Sequence, residues 1–326
     1  MSFSELNLFP LCLGGNVFGW TAGREDSFAV LDAYAEAGGN FIDTADVYSE
    51  WVPGHAGGES ETIIGEWLDA RGNRDRIVLA TKVGMLGSRP GLSAKNVRLA
   101  VEDSLRRLRT DYIDLYWAHI DDADTPLEET LGVFGELVGE GKIRNIGASN
   151  YGPERLAEAL DVSEREGLPR YGVLQQHYNL VERGYEGALR DVVAARGLTS
   201  TPYLGLARGF LTGKYRPGVE VDSPRAGAAA RYLEEERGRR VLAALDEVAA
   251  AHDAVPATVA LAWLAAQPTV AAPIASARNV EQLRPLLAVA ELELTAPTAS
   301  TKPGEIQSSG QRQAHRERDG DEHSRT

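Results

Sequence analysis

Eight short apolar runs recur along the chain, each set off by a longer stretch with helical spacing, and this alternation constrains the fold more than any other feature. The runs cover residues 11–13, 41–42, 77–80, 113–117, 143–147, 173–176, 199–203 and 270–274. Helical patterns occupy 26–37, 60–70, 93–108, 125–139, 153–165, 184–195 and 279–289. Apolar runs of strand length alternating with such helices read as βα units, whose parallel strands need cover on both faces. Ser93, and Thr125-Pro126 with Glu128 behind it, offer helix starts. A closed barrel and an open doubly wound sheet both satisfy strict alternation. The open sheet would place a G-x-G-x-x-G loop after its first strand, and Gly14-Gly15-Asn16-Val17-Phe18-Gly19 does not have that spacing. The expected fold is therefore α/β, a (β/α)8 TIM barrel forming a single domain over residues 1–295.

Two segments fit less easily. Thr199-Ser200-Thr201-Pro202-Tyr203 is polar for a buried strand and is assigned by its place in the series. The stretch 205–231 is longer than an ordinary βα connection, and loops of that length in compact domains commonly cover a ligand or move.

Composition narrows the function. Against 34 Lys+Arg stand 48 Asp+Glu, a formal charge of −14, which argues against binding nucleic acid or an anionic membrane. No run approaches the ~18 apolar residues of a membrane span, and the N-terminus lacks the basic start and apolar stretch of a signal peptide. A cytoplasmic location is expected, with an oligomer neither indicated nor excluded. The single cysteine, Cys12, excludes an internal disulfide and reads as a buried thiol. His55 near Asp46 lacks any metal-ligand spacing, so no metal is expected. Residues 296–326 contain Ile306 as their one large aliphatic side chain; such a segment cannot offset its ordering entropy and is expected to be a disordered tail.

In a barrel, chemistry belongs at the C-terminal ends of the strands. Those positions are held by Gly14-Gly15, Asp43, Lys82, His119, Ser149-Asn150, Gln175, Tyr203 and Ala275-Ser276. Asp43 and Tyr48 share the segment Asp43-Thr44-Ala45-Asp46-Val47-Tyr48, whose turn can return the phenol over the mouth beside Lys82. A phenol has an ordinary pKa of ~10 and is a poor acid near neutrality. The Lys82 ammonium is expected to lower that pKa, with Asp43 holding Lys82 charged. His119 can reach a substrate oxygen from the other side. Taken singly, each residue is an ordinary salt bridge or packing group; together they form a proton-delivery site for a carbonyl oxygen.

At this combination the chain resembles the aldo-keto reductases, NADP-dependent barrel enzymes without a Rossmann domain. The likeness runs from about Phe9 to Leu292. It implies Asp43, Tyr48, Lys82 and His119 as catalytic residues, with Tyr48 the general acid. Gly141 through Asn150 is similar to the family's fifth strand, which would put Ser149 and Asn150 on the nicotinamide carboxamide. Gln175-Gln176-His177-Tyr178-Asn179 is similar to its Gln-x-x-Tyr-Asn, which adds Gln175. The resemblance further implies that Gly15 and Asp43 contact the cofactor, that Tyr203 stacks on the ring, and that Leu206, Arg208, Gly209 and Lys214 lie in the loop over the pyrophosphate. Ser276, Arg278 and Gln282 would bind the adenosine end, where the forked Arg278 suits a 2′-phosphate and so favours NADPH. An exposed arginine on an ordinary helix is the plainer reading of Arg278. Leu286 departs from the asparagine the family often uses on adenine, and Leu204-Gly205 from the usual Ser-Pro.

A small-molecule carbonyl compound is the implied partner. Trp51, Trp20 and Phe18 are the candidate pocket walls, and aromatic walls suit planar carbonyls and sugars alike. Trp51 can equally be a loop anchor. Other readings stay open: ketoreduction of a deoxysugar in a biosynthetic pathway, a cofactor-binding regulatory subunit with little turnover, or a barrel aldolase using Lys82 as a Schiff base.

Overall fold

The computed structural model describes residues 3–294; the expected disordered tail at 296–326 lies outside the described residues. Strands β1 (Cys12–Gly14), β2 (Phe41–Asp43), β3 (Val78–Val83), β4 (Ile113–Ala118), β5 (Ile143–Ser149), β6 (Val173–Gln175), β7 (Thr199–Ser200) and β8 (Ile274–Ala275) are ordered β7-β6-β5-β4-β3-β2-β1-β8. All pair in parallel. The two ends of that order meet. Ser200 bridges Val270 in parallel. The Ser200 amide donates to the Thr269 carbonyl at 2.7 Å, the Ala271 amide to the Ser200 carbonyl at 2.8 Å, and the Ile274 amide to the Pro202 carbonyl at 2.8 Å. The sheet is thus a (β/α)8 barrel.

Helices α1 (Arg24–Glu36), α2 (Glu59–Arg71), α3 (Ala94–Leu108), α4 (Leu127–Gly139), α5 (Pro153–Glu166) and α6 (Ala188–Ala195) follow β1 to β6 in turn. The Ser93 hydroxyl caps α3 through the Asn96 amide at 3.4 Å. Thr125 does not cap α4, because its hydroxyl donates to Asp122 at 2.7 Å and the helix begins at Leu127. Between β7 and β8 the chain runs through a kinked 3-10 segment, Ala207–Thr212, then α7 (Ala226–Glu234), α8 (Glu236–Ala251) and α9 (Pro256–Ala265); α10 (Val280–Leu287) completes the ring. A separate apolar cluster including Phe210, Leu211, Tyr215, Leu242 and Leu245 anchors this long connection. No single helix among the described residues is long and apolar enough to cross a membrane.

The barrel interior is filled by Cys12, Phe41, Ala80, Leu115, Trp117 and Val173. Side chains on a strand alternate between faces. Two residues beyond Cys12, Phe41, Ala80, Trp117 and Val173 stand Gly14, Asp43, Lys82, His119 and Gln175, with His119 just past the end of β4. The polar ring at the mouth is therefore the upward continuation of the packed interior. Gly147 makes room for Trp117, since a Cβ there would collide with the indole. Cys12 is fully buried, as its apolar neighbours suggest, and burial pushes its thiol well above the ordinary range.

Candidate active site

Lys82 is fully buried and its ammonium is completely engaged. It donates to Asp43 Oδ2, to the Thr44 carbonyl at 2.7 Å and to the Tyr48 hydroxyl at 2.9 Å. An ammonium has three protons to donate, so none remains for a substrate. Burial works against its charge, but Asp43 and Tyr48 outweigh burial and raise its pKa. A lysine kept protonated in this way is a poor Schiff-base nucleophile.

Tyr48 shows a difference from the sequence expectation. Burial raises its pKa, and the lowering by Lys82 only partly offsets this, with Asp43 opposing it. The ammonium was expected to decide the sign; exclusion of solvent around the phenol decides it instead. His119 meets Tyr48 edge-on, with ring centroids 6.2 Å apart. Burial and the nearby Lys82 charge hold its pKa well below the usual histidine value, so the imidazole is neutral at neutral pH. Its Nδ1 has no hydrogen-bond partner.

Gln175 donates to the other Asp43 oxygen at 3.1 Å. Asn150 has positive φ, a conformation asparagine tolerates. Its amide nitrogen donates to the His119 carbonyl at 2.9 Å and to Ser149 Oγ at 3.2 Å, and its oxygen accepts from the Tyr203 hydroxyl at 2.7 Å. Tyr203 stacks on His177 at 5.6 Å. Asn150 thus ties together the ends of three strands and the Tyr203 ring.

A cavity of about 920 Å³ opens above these groups. It is lined by Asp43, Tyr48, His119, Ser149, Asn150, Gln175 and Tyr203 at one end, and by Leu206, Arg208, Gly209, Lys214, Ser276, Arg278 and Gln282 at the other. Gly14 lets the chain close up beneath it: a Cβ there would lie 2.6 Å from Ser276 Oγ, which meets Asn16 Oδ1 at 2.5 Å. Leu204, Ala207 and Arg208 all take positive φ, a costly arrangement that is found at ligand clamps. Arg208, Arg278 and Arg225 have no carboxylate partner among the described residues. Such a group of unpaired cations in a cleft favours a polyanion.

Trp20 and Trp51 line the cavity and meet edge-on at 5.5 Å, and Trp51 reaches Tyr48 at 6.3 Å. Phe18 does not join them. It is fully buried in the core, because the turn after β1 directs its ring inward and leaves Val17, Trp20 and Thr21 facing the cavity. Gly15 is likewise turned away, packed against Ser60 and Ile64 of α2, while its neighbours Gly14 and Asn16 line the cavity. Gly15 follows from side-chain alternation, whereas Phe18 shares the parity of Gly14 and Asn16 and is turned inward by the turn in which its amide donates to the Gly15 carbonyl at 3.0 Å. Arg225, Met85 and Ile120 are among the lining residues that the sequence leaves unmarked. They come from connections, where no strand-end rule applies.

Behind Tyr48, Asp46 is buried with one carboxylate oxygen unpaired. Glu61 is fully buried beside it, paired with Arg107 at 2.6 Å and accepting from Thr81 at 2.5 Å. Burial, then the Glu61 charge, push the Asp46 carboxyl up to about 8, with Arg107 and Arg89 opposing. No group of residues able to hold a metal ion occurs among the described residues.

The model of the Aldo/keto reductase family matches residues 10–301. Norsolorinic acid reductase stcV of Emericella nidulans is 35% identical, with 89% of this chain and 76% of that protein covered. Protein tas of Escherichia coli is 33% identical over 90% of this chain and 92% of its own length. The aryl-alcohol dehydrogenase (NADP(+)) of Phanerodontia chrysosporium is 32% identical over 89% and 80%.

Proposed function

The chain belongs to the aldo/keto reductase family, an oxidoreductase family acting on carbonyl compounds, and on that premise we propose that it reduces an aldehyde or ketone to the alcohol with NADPH, Tyr48 supplying the proton. The observation that carries this reading is the Tyr48 hydroxyl, 2.9 Å from the Lys82 ammonium on the floor of the cavity.

The residues present fit the cofactor. Ser149, Gln175 and the remaining lone pair of Asn150 offer a donor and acceptor set for a carboxamide, beside the exposed face of Tyr203. Arg208, Lys214, Arg225 and Arg278 offer cations for phosphates, and Gln282 and Glu281 line the far end. When bound, the reduced nicotinamide supplies the hydride.

What the chain's own groups do follows from their charge states. The carbonyl oxygen lies between Tyr48 and His119. His119 is neutral, so it orients that oxygen without competing as the acid. Tyr48 gives its proton as charge develops on the oxygen, and the phenolate left behind is stabilised by the ammonium already bonded to it. Asp43 keeps that ammonium charged and fixed. A high phenol pKa keeps the acid protonated between turnovers.

The Trp20–Trp51 wall, next to relatives named for norsolorinic acid and aryl alcohols, favours a planar aromatic carbonyl as substrate. The test is a fluorescence titration with NADPH and NADH, followed by turnover of aromatic aldehydes. Tight NADPH binding that weakens in Arg278→Ala is expected. Binding of neither nucleotide would overturn the proposal.

A further inference from the structure

Arg225 lines the cavity beside Trp20. Its guanidinium carbon is 5.6 Å from the centroid of the Trp20 ring, and Trp20 in turn meets Trp51 at 5.5 Å. Arg208 and Arg278 line the same cavity, and their like charges, after burial, depress the pKa of Arg225. None of the three has a carboxylate partner among the described residues. The backbone beneath Arg225 is fixed: its carbonyl accepts from the Ala229 amide at 3.0 Å in the first turn of α7, and its own amide donates to Ser223 Oγ at 3.3 Å. Only the side chain is free to respond to charge.

A half-buried cation under repulsion from two others is eased by an anion placed among them and by an aromatic face behind it. Arg225 has the aromatic face already. We propose that Arg225 couples the two halves of the cavity: a phosphate bound among Arg208, Arg225 and Arg278 sets the guanidinium on Trp20, and so sets the Trp20–Trp51 wall against which the substrate packs. The proposal rests on the NADPH reading above. It makes cofactor phosphate and substrate bind cooperatively, and equilibrium coupling of this kind acts equally in both directions.

The test needs no turnover. Wild type, Trp20→Phe, Arg225→Met and Arg225→Lys are titrated with adenosine 2′,5′-bisphosphate and adenosine 5′-monophosphate, following tryptophan emission and binding heat together. Wild type should change its emission as the bisphosphate binds. Trp20→Phe should bind with similar heat and lose that change. Arg225→Met should bind about three- to tenfold more weakly, in line with loss of a charge contact and a cation–π contact, and show no change even at saturation. Arg225→Lys, which keeps the charge, should retain part of it. A response to the bisphosphate alone assigns the effect to the 2′-phosphate; an equal response to the monophosphate assigns it to the 5′ end. Heat with an emission change that survives in Trp20→Phe or saturated Arg225→Met overturns the coupling while sparing the cofactor reading. Absence of heat with either nucleotide overturns both.

Discussion

The Tyr48 hydroxyl and the Lys82 ammonium lie 2.9 Å apart, and the two groups raise and lower each other's pKa in opposite senses. The pair is fixed before any substrate arrives, since Lys82 is also bonded to Asp43 and to the Thr44 carbonyl. Such prearranged charge needs little reorganisation when a proton moves.

Tyr48→Phe removes the proposed acid and leaves the ring. Turnover should fall by about 10²- to 10⁴-fold, the usual worth of a positioned acid, with NADPH affinity nearly unchanged. Stopped-flow reduction and equilibrium binding on the same preparation check both parts. Turnover within a few-fold of wild type would remove Tyr48 from the chemistry.

Lys82→Met leaves Asp43 buried with Gln175 as its remaining side-chain partner. Breaking one side of a buried pair costs ~3–5 kcal/mol, and denaturant melts should show a loss of that size. Adding Asp43→Asn should restore part of the stability and none of the activity.

The pH profile of kcat/KM should lack the break near ~6.5 that an ordinary histidine gives, because His119 is held neutral well below that pH. Nor should the phenol limit the rate until above its ordinary ~10, because Tyr48 is raised. A level profile from about pH 6 to about pH 9 is the expected result. A limb centred near neutrality would contradict the assignment of charge states.

Asp46 gives a signature in stability. Its folded pKa of about 8 lies above the ordinary ~3.9 of an unfolded chain. Between those values the native state holds a proton that the unfolded chain releases, so stability falls as pH rises through the window. Asp46→Asn removes this dependence. Thermal melts should show the variant gaining on wild type as pH rises from about 4 to about 8, by at most ~1.4 kcal/mol per unit, and holding its advantage above. A constant difference across the range would show that Asp46 is ionised in the native state.

The barrel was readable because its polar mouth continues an apolar interior with a period of two. Asp43 follows Phe41, and Gln175 follows Val173, on the same strand faces. That same period, carried past β1, excludes Gly15 but not Phe18, whose ring is turned inward only because the chain turns there, the Phe18 amide donating to the Gly15 carbonyl at 3.0 Å. β7 could be read only by its place in the series, since what holds it is backbone bonding to residues near Thr269 and Ala271, far along the chain. Arg225, Met85 and Ile120 had no local mark at all; they enter the cavity through loops set by tertiary packing. The direction of the Tyr48 shift was hidden for a related reason. A sequence displays neighbouring charges, but it does not display how much water has been removed from around them.

β7 and β8 are two residues each, whereas β3, β4 and β5 run to six or seven. The barrel is thus a hoop whose closing joint is made by its two shortest strands. The long connection carrying Arg208 and Arg225 springs from one side of it and returns to the other. Any displacement at that joint would be carried into the arch over the cavity, because both feet of the arch stand on it.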